Sequence, residues 1–347
     1  ALPPYGGQMA AASHDSARGS DGDGPPAKPG GHSGVRRGLI IGALVVGVGM
    51  VLAPAVFQMF TRAPSGASMI DDFRPYMEVE QIELFQGYMD EIGAAVGETE
   101  SDLVADLSAA GKVDEATFET DYALVADFLD QWPVIDEDMS DMLDTMDANR
   151  GNYAAVDALP SFDLFPWFFV IPGLLVALTA AVVLFRDRKG RSVGVGRWIL
   201  VGLGVAIMLA PVAFQMFSRA PDGGDMINEF RSMMTREQVD DVQGYFITLG
   251  TGEGQLRTAL LPLADDPDAY VAITRFNEDW PTIVGEFNPM IGTMSDNLDN
   301  FADVDALPPF PLFPWFFVIP GALIAGLAFF AGRAGSTTTE SPQTRSS

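Results

Sequence analysis

Apolar residues are not spread evenly along this chain. They collect in four runs almost free of charge, at 38–61, 164–185, 198–218 and 312–332, with acid-rich stretches between them. A bilayer core about 30 Å thick needs about 20 apolar residues of α-helix, and all four runs are long enough. Backbone groups in hydrocarbon must be paired inside a helix or a closed barrel. These runs do not alternate, as barrel strands do, so they are expected to be transmembrane helices. The first lies behind a long tail and exceeds the apolar core of a signal peptide, about 7–15 residues. It is read as a retained span.

Between the runs the pattern becomes amphipathic. Ile82, Phe85, Met89 and Ile92 are spaced three, four, three, and so are Val239, Val242, Phe246 and Leu249. Tyr122, Val125, Phe128 and Trp132 match Tyr270, Ile273, Phe276 and Trp280, and Ile135, Met139, Met142 and Met146 match Ile283, Phe287, Met290 and Met294. Such spacing lines one helix face and leaves the acids on the other. Thr235 to Gln238 reads as a capping box opening one of these helices. Pro133 and Pro281 each follow a tryptophan and are expected to mark helix junctions, because proline removes a helical hydrogen bond. Pro64, Pro160, Pro221, Pro308 and Pro309 suggest breaks where spans meet modules.

The chain also echoes itself. Ala53-Pro54-Ala55-Val56-Phe57-Gln58-Met59-Phe60 returns nearly unchanged 157 residues later, and Phe165 to Gly173 returns letter for letter 148 residues later. The expected fold is all-α, with four transmembrane helices in two tandem repeats, each carrying an extracytoplasmic helical-bundle module. The expected boundaries are a disordered tail at 1–37, spans at 38–61 and 164–185 around a module at 62–163, a basic loop at 186–197, spans at 198–218 and 312–332 around a module at 219–311, and a tail at 333–347. The two modules should pack side by side.

Charge sets the expected orientation. Residues 63–164 carry 25 acids and 3 bases, and residues 220–312 carry 17 acids and 4 bases, whereas the remainder is net positive. Arg36, Arg37 and the loop from Arg186 to Arg197 are basic, and short basic loops stay cytoplasmic. Both termini should then be cytoplasmic and both acidic modules outside, in a cell membrane. Arginine outnumbers lysine 17 to 3, which suits a GC-rich bacterial genome. An outer face this acidic argues against nucleic acid as its partner.

Enzyme chemistry has little to work with. There is no cysteine, and the two histidines, His14 and His32, lie in the tail. That excludes histidine triads and zinc sites built on His or Cys. No cofactor, metal or catalytic residue is expected. The acid cluster from Asp136 to Asp147 reads as a solvated helix face. No span has an ionisable side chain in its interior, which argues against an ion or proton pathway. Gly38 and Gly42 form a small-residue pair able to seat another helix.

The remaining candidates are contacts for a partner or ligand. Arg74 and Arg231 could hold a carboxylate or phosphate, although pairing with acids of the chain, as for Arg62 and Arg219, is the favoured reading. Gln86 and Tyr88, with Gln243 and Tyr245, flank a helical glycine, explained either by close approach of a neighbouring helix or by a ligand pocket. Trp167, Phe168, Trp315 and Phe316 are read as membrane-interface anchors, with an outer-leaflet groove for a hydrophobic ligand as the sharper reading. The expected function is a non-catalytic membrane scaffold or accessory subunit, in contact with lipid and with a membrane-protein partner or a second copy. A receptor for a small or lipidic ligand is the alternative.

Overall fold

The computed structural model describes residues 32–334, all of whose regular elements are helical. The expected disorder at 1–31 and 335–347 lies outside the described residues. Twelve principal helices stack in three tiers of four.

The first tier holds α1 (His32–Val56), α6 (Phe165–Arg188), α7 (Gly194–Ala213) and α12 (Trp315–Arg333). All four are long and apolar enough to cross a membrane. The first starts six residues earlier than expected, at His32. Glycine explains their pairing. A Cβ on Gly47 would lie 3.0 Å from the Gly173 carbonyl oxygen, and one on Gly173 would lie 2.8 Å from the Gly47 oxygen. Gly204 and Gly321 repeat the arrangement between α7 and α12, at 2.7 and 2.6 Å. Lipid provides no hydrophobic force between helices, so close backbone packing must hold each hairpin. Of the pair read as able to seat another helix, Gly42 does meet the Leu327 side chain of α12, at 3.1 Å, whereas Gly38 has nothing within 4 Å.

The second tier holds α2 (Met59–Phe73), α5 (Arg150–Asp157), α8 (Met216–Phe230) and α11 (Leu298–Asp305). The chain turns into it at Gln58 and Gln215, which adopt left-handed backbone with φ of 54° and 55°. Such a conformation costs a non-glycine residue about 1–2 kcal/mol. The breaks fall here and not at Pro64 and Pro221, which lie inside α2 and α8. Pro160, Pro308 and Pro309 do lie between helices. The expected side-by-side modules do not form. Helix α2 of the first half packs on α11 of the second, and α8 packs on α5.

The third tier is a ring of α3 (Val79–Glu98), α4 (Ala123–Ala148), α9 (Arg236–Gln255) and α10 (Val271–Asp296), each touching two others, one from each half. The periodic apolar positions meet at its axis. Phe85 and Phe287 have ring centroids 4.4 Å apart, and Phe128 stacks on Phe276 at 6.1 Å. All four are fully buried, which stabilises each by about 1.5–3 kcal/mol relative to exposure. The Thr235 hydroxyl accepts from the Gln238 amide, as the capping sequence predicts. Pro133 and Pro281 do not end helices; they sit inside α4 and α10 on exposed positions. A proline facing solvent lets the helix bend around the core, and buried apolar residues on either side, Phe128 and Ile135 in α4 and Phe276 and Ile283 in α10, hold the helix together across the lost bond.

Candidate functional site

Polar side chains tie the halves together at matching positions. Helices α4 and α10 have no local N-terminal cap. Gln255 Oε1 accepts from the amides of Leu124 and Val125, at 2.9 and 3.0 Å, and Glu98 accepts from the amide of Ile273 at 2.9 Å. Each cap thus comes from the opposite half and satisfies amides that a helix start leaves orphaned. Both accepting residues, Glu98 and Gln255, stand immediately before a π-helical segment, Thr99–Leu103 and Leu256–Leu260. Lower down, buried Asn149 donates to Glu229, and buried Asn297 donates to Asp72 at 3.1 Å.

The sequence candidates are mostly absorbed into this internal pairing. Arg74 bridges Asp71 and Asp157, each at 2.7 Å, and Arg231 bonds Asp305 at 2.6 Å. These hydrogen bonds and charges hold both guanidinium groups even further into the protonated range. Gln86 donates to Asp144 at 3.4 Å, and Gln243 is exposed. Tyr245 donates to Asp138, and burial followed by that carboxylate raises its pKa. Tyr88 instead lies beside Phe287, with centroids 6.3 Å apart. The Gln–Tyr pairs therefore do not converge on one pocket. Their glycines are not sites of close approach either, since a Cβ at Gly87 or Gly244 meets nothing within 4 Å. Close approach occurs instead at Gly93 and Gly250, which lie against the rings of Trp132 and Trp280, and at Gly252, which lies against Phe128.

Two apolar grooves lie where the spans meet the second tier. One, of about 230 Å³, opens between α6 and α7. Its walls include Phe168 and Pro172 on α6 and Leu203, Ala206 and Ala210 on α7, with Phe214 beyond. The other, also about 230 Å³, lies between α1 and α12. Its Val46, Gly49, Ala53, Phe57, Phe316 and Pro320 occupy the matching positions. The first is deeper, reaching Leu159, Pro160, Phe162 and Phe310. Helices α6 and α7 also pack less extensively than α1 and α12; where α1 has Gly42 against Leu327, α7 has the bulkier Ile199.

Phe168 and Phe316 are thus groove walls, while Trp167 and Trp315 are half exposed beside them. Trp167 meets Phe60 edge-on at 5.8 Å, and Trp315 meets Phe217 likewise. Arg219 adjoins Ala220, a wall residue of the first groove, and Arg62 lies one turn past Met59, a wall residue of the second. Outside the basic 186–197 loop, six of the nine basic side chains between residues 62 and 275 pair with carboxylates. Arg62 and Arg219 do not. Each instead donates to a carbonyl of the opposite half, Arg62 to Ala306 at 3.0 Å and Arg219 to Ala158 at 2.8 Å. The expectation that these two pair with acids is overturned. The repeated aromatic element around Trp167–Phe168 and Trp315–Phe316 is the sequence signal for the grooves, and nothing in the sequence marks the cross-half caps. Among the described residues no group of three or more acidic or histidine side chains gathers as metal ligands. The chain matches no protein-family model and no curated protein.

Proposed function

We propose that the chain is a non-catalytic membrane scaffold, an accessory subunit of a larger cell-envelope complex. The observation that carries this reading is the use made of its polar side chains: Arg74, Arg231, Tyr245, Asn149 and Asn297 are all held by bonds within the chain. They stiffen a framework and leave no converging set of reactive groups. The reading takes the halves as tandem repeats related by a pseudo-twofold axis, supported by matched caps and clamps 157 or 148 residues apart. It also takes the termini and the 186–197 loop as cytoplasmic and the acidic tiers as external, by the rule that basic short loops stay inside.

Affinity purification in mild detergent tests the subunit role. Specific membrane proteins, or a second copy, should co-purify in fixed ratio and be lost when exposed Asp141 and Asp144 are both changed to Lys. Deleting one module is unsuitable, because each half completes the other. A chain that runs alone under every mild condition overturns the proposal. Orientation is tested on the cysteine-free background: Asp266→Cys should react with an impermeant maleimide on intact cells, and Ser192→Cys only after permeabilisation.

The alternative, a binding module for a lipidic ligand, is favoured by the paired grooves. Their walls suit an acyl chain and offer almost nothing to a polar metabolite.

A further inference from the structure

We propose that each groove seats an acyl chain of an anionic phospholipid, with the lipid phosphate held by Arg219 at one groove and Arg62 at the other. The proposal rests on the ligand-binding reading above and assigns the headgroup.

The rim chemistry selects the charge. Arg219 follows Ser218 and precedes Ala220, a wall residue of the α6–α7 groove, and its guanidinium lies on the carbonyl next to Leu159, another wall residue. It is half-buried and makes no ion pair, although acids outnumber bases 17 to 4 in the 93 residues that follow it. Asp222, one turn on, is the nearest acid in sequence and does not pair with it. A guanidinium has five N–H donors in a planar fork. One carbonyl leaves most of them free for the two oxygens of a phosphodiester, a geometry that arginine meets bidentately. Arg62 repeats the arrangement, and its buried Nε has no hydrogen-bond partner. Each arginine follows by two residues one ring of an aromatic pair, Phe60–Trp167 or Phe217–Trp315. Tryptophan sits at the headgroup level of a bilayer, so a phosphate is at hand at the right depth. The Ala206 and Gly49 positions keep the groove walls thin enough to admit a chain.

The test is native mass spectrometry of the full chain, exchanged from detergent into mixed phosphatidylglycerol and phosphatidylcholine. The wild type should retain two phosphatidylglycerols, with about tenfold preference over phosphatidylcholine, the scale of a charged hydrogen bond. Arg219→Gln should retain one, and the Arg62→Gln/Arg219→Gln double variant none above the phosphatidylcholine level. Arg219→Lys should recover part of the preference. Ala206→Trp should lose one lipid whatever its headgroup. Thermal melts confirm that each variant folds. Two phosphatidylglycerols on the double arginine variant overturn the headgroup assignment and leave the groove reading standing. Full lipid occupancy in an Ala206→Trp/Gly49→Trp chain overturns the groove reading itself. Stabilisation by inorganic phosphate equal to that by phosphatidylglycerol, and lost in Arg219→Gln, identifies a soluble anion and overturns the lipid.

Discussion

Gly321→Ala is a severe change for one methyl group. The new Cβ would lie 2.6 Å from the Gly204 carbonyl oxygen and 2.6 Å from the Met208 amide nitrogen. Both are backbone atoms of α7, so no side chain can rotate to make room. Restoring ordinary van der Waals separation moves α12 from α7 by roughly 1 Å, and dispersion contacts along the hairpin fall steeply over such a gap. Overpacking typically costs about 1–3 kcal/mol, and a clash with rigid backbone belongs at the upper end. The bilayer offers no hydrophobic compensation between helices. Gly326→Ala on the same helix is the control, since a Cβ there meets nothing within 4 Å. Thermal unfolding in detergent, followed by tryptophan fluorescence, should show a clear fall in Tm for Gly321→Ala. Gly326→Ala should match or slightly exceed wild type, as alanine is the better helix former. Equal melting temperatures for the two variants would refute the reasoning.

Three further outcomes are expected. Asn297→Asp places a carboxylate opposite Asp72 in place of an amide donor 3.1 Å away; the repulsion should cost about 1–4 kcal/mol at neutral pH, with partial recovery in Asp72→Asn/Asn297→Asp, and equal melts for all three chains would count against the clamp. Buried Glu91 has its pKa raised, chiefly by desolvation, while Arg275 at 2.8 Å opposes the shift. The folded state therefore holds that proton more tightly than the unfolded state, and the stability it contributes is complete below the ordinary carboxylate pKa and lost as pH rises through the raised value. Glu91→Gln should consequently gain on wild type as melts move from pH about 4 to about 8, and parallel curves would contradict this. Gly252→Ala, whose Cβ would lie 2.4 Å from Phe128 Cβ, should lower Tm, whereas Ala95→Gly at the matching position should cost only about 1 kcal/mol; the reverse order in a thermal melt would refute the packing argument.

The four spans and the faces of the bundle helices were legible because hydrophobic period depends on local sequence alone. Phe85, Phe128, Phe276 and Phe287 all lie where their spacing put them. The helix ends were less legible. Pro133 and Pro281 look like breaks in isolation, yet packing on both sides carries the helix through. Gln58 and Gln215 carry no sequence mark of a left-handed turn. The exchange of partners between halves left no trace either, because α2 has the same apolar stripe whether it packs on α5 or on α11. For the site, residue type identified Phe168 and Phe316 as interfacial. It could not distinguish Arg74, neutralised by two aspartates, from Arg219, which has none, since that depends on which carboxylates the fold brings near.

The crossed second tier also dictates an order of events at the ribosome. Helix α2 is made early, but its partner α11 begins at Leu298, more than two hundred residues later. Until then the nascent chain carries α2 without its partner helix, along with an α4 whose first amides await Gln255. A ribosome that stalls before Leu298 therefore releases a polypeptide whose spans can form but whose second tier cannot close, a natural substrate for quality control.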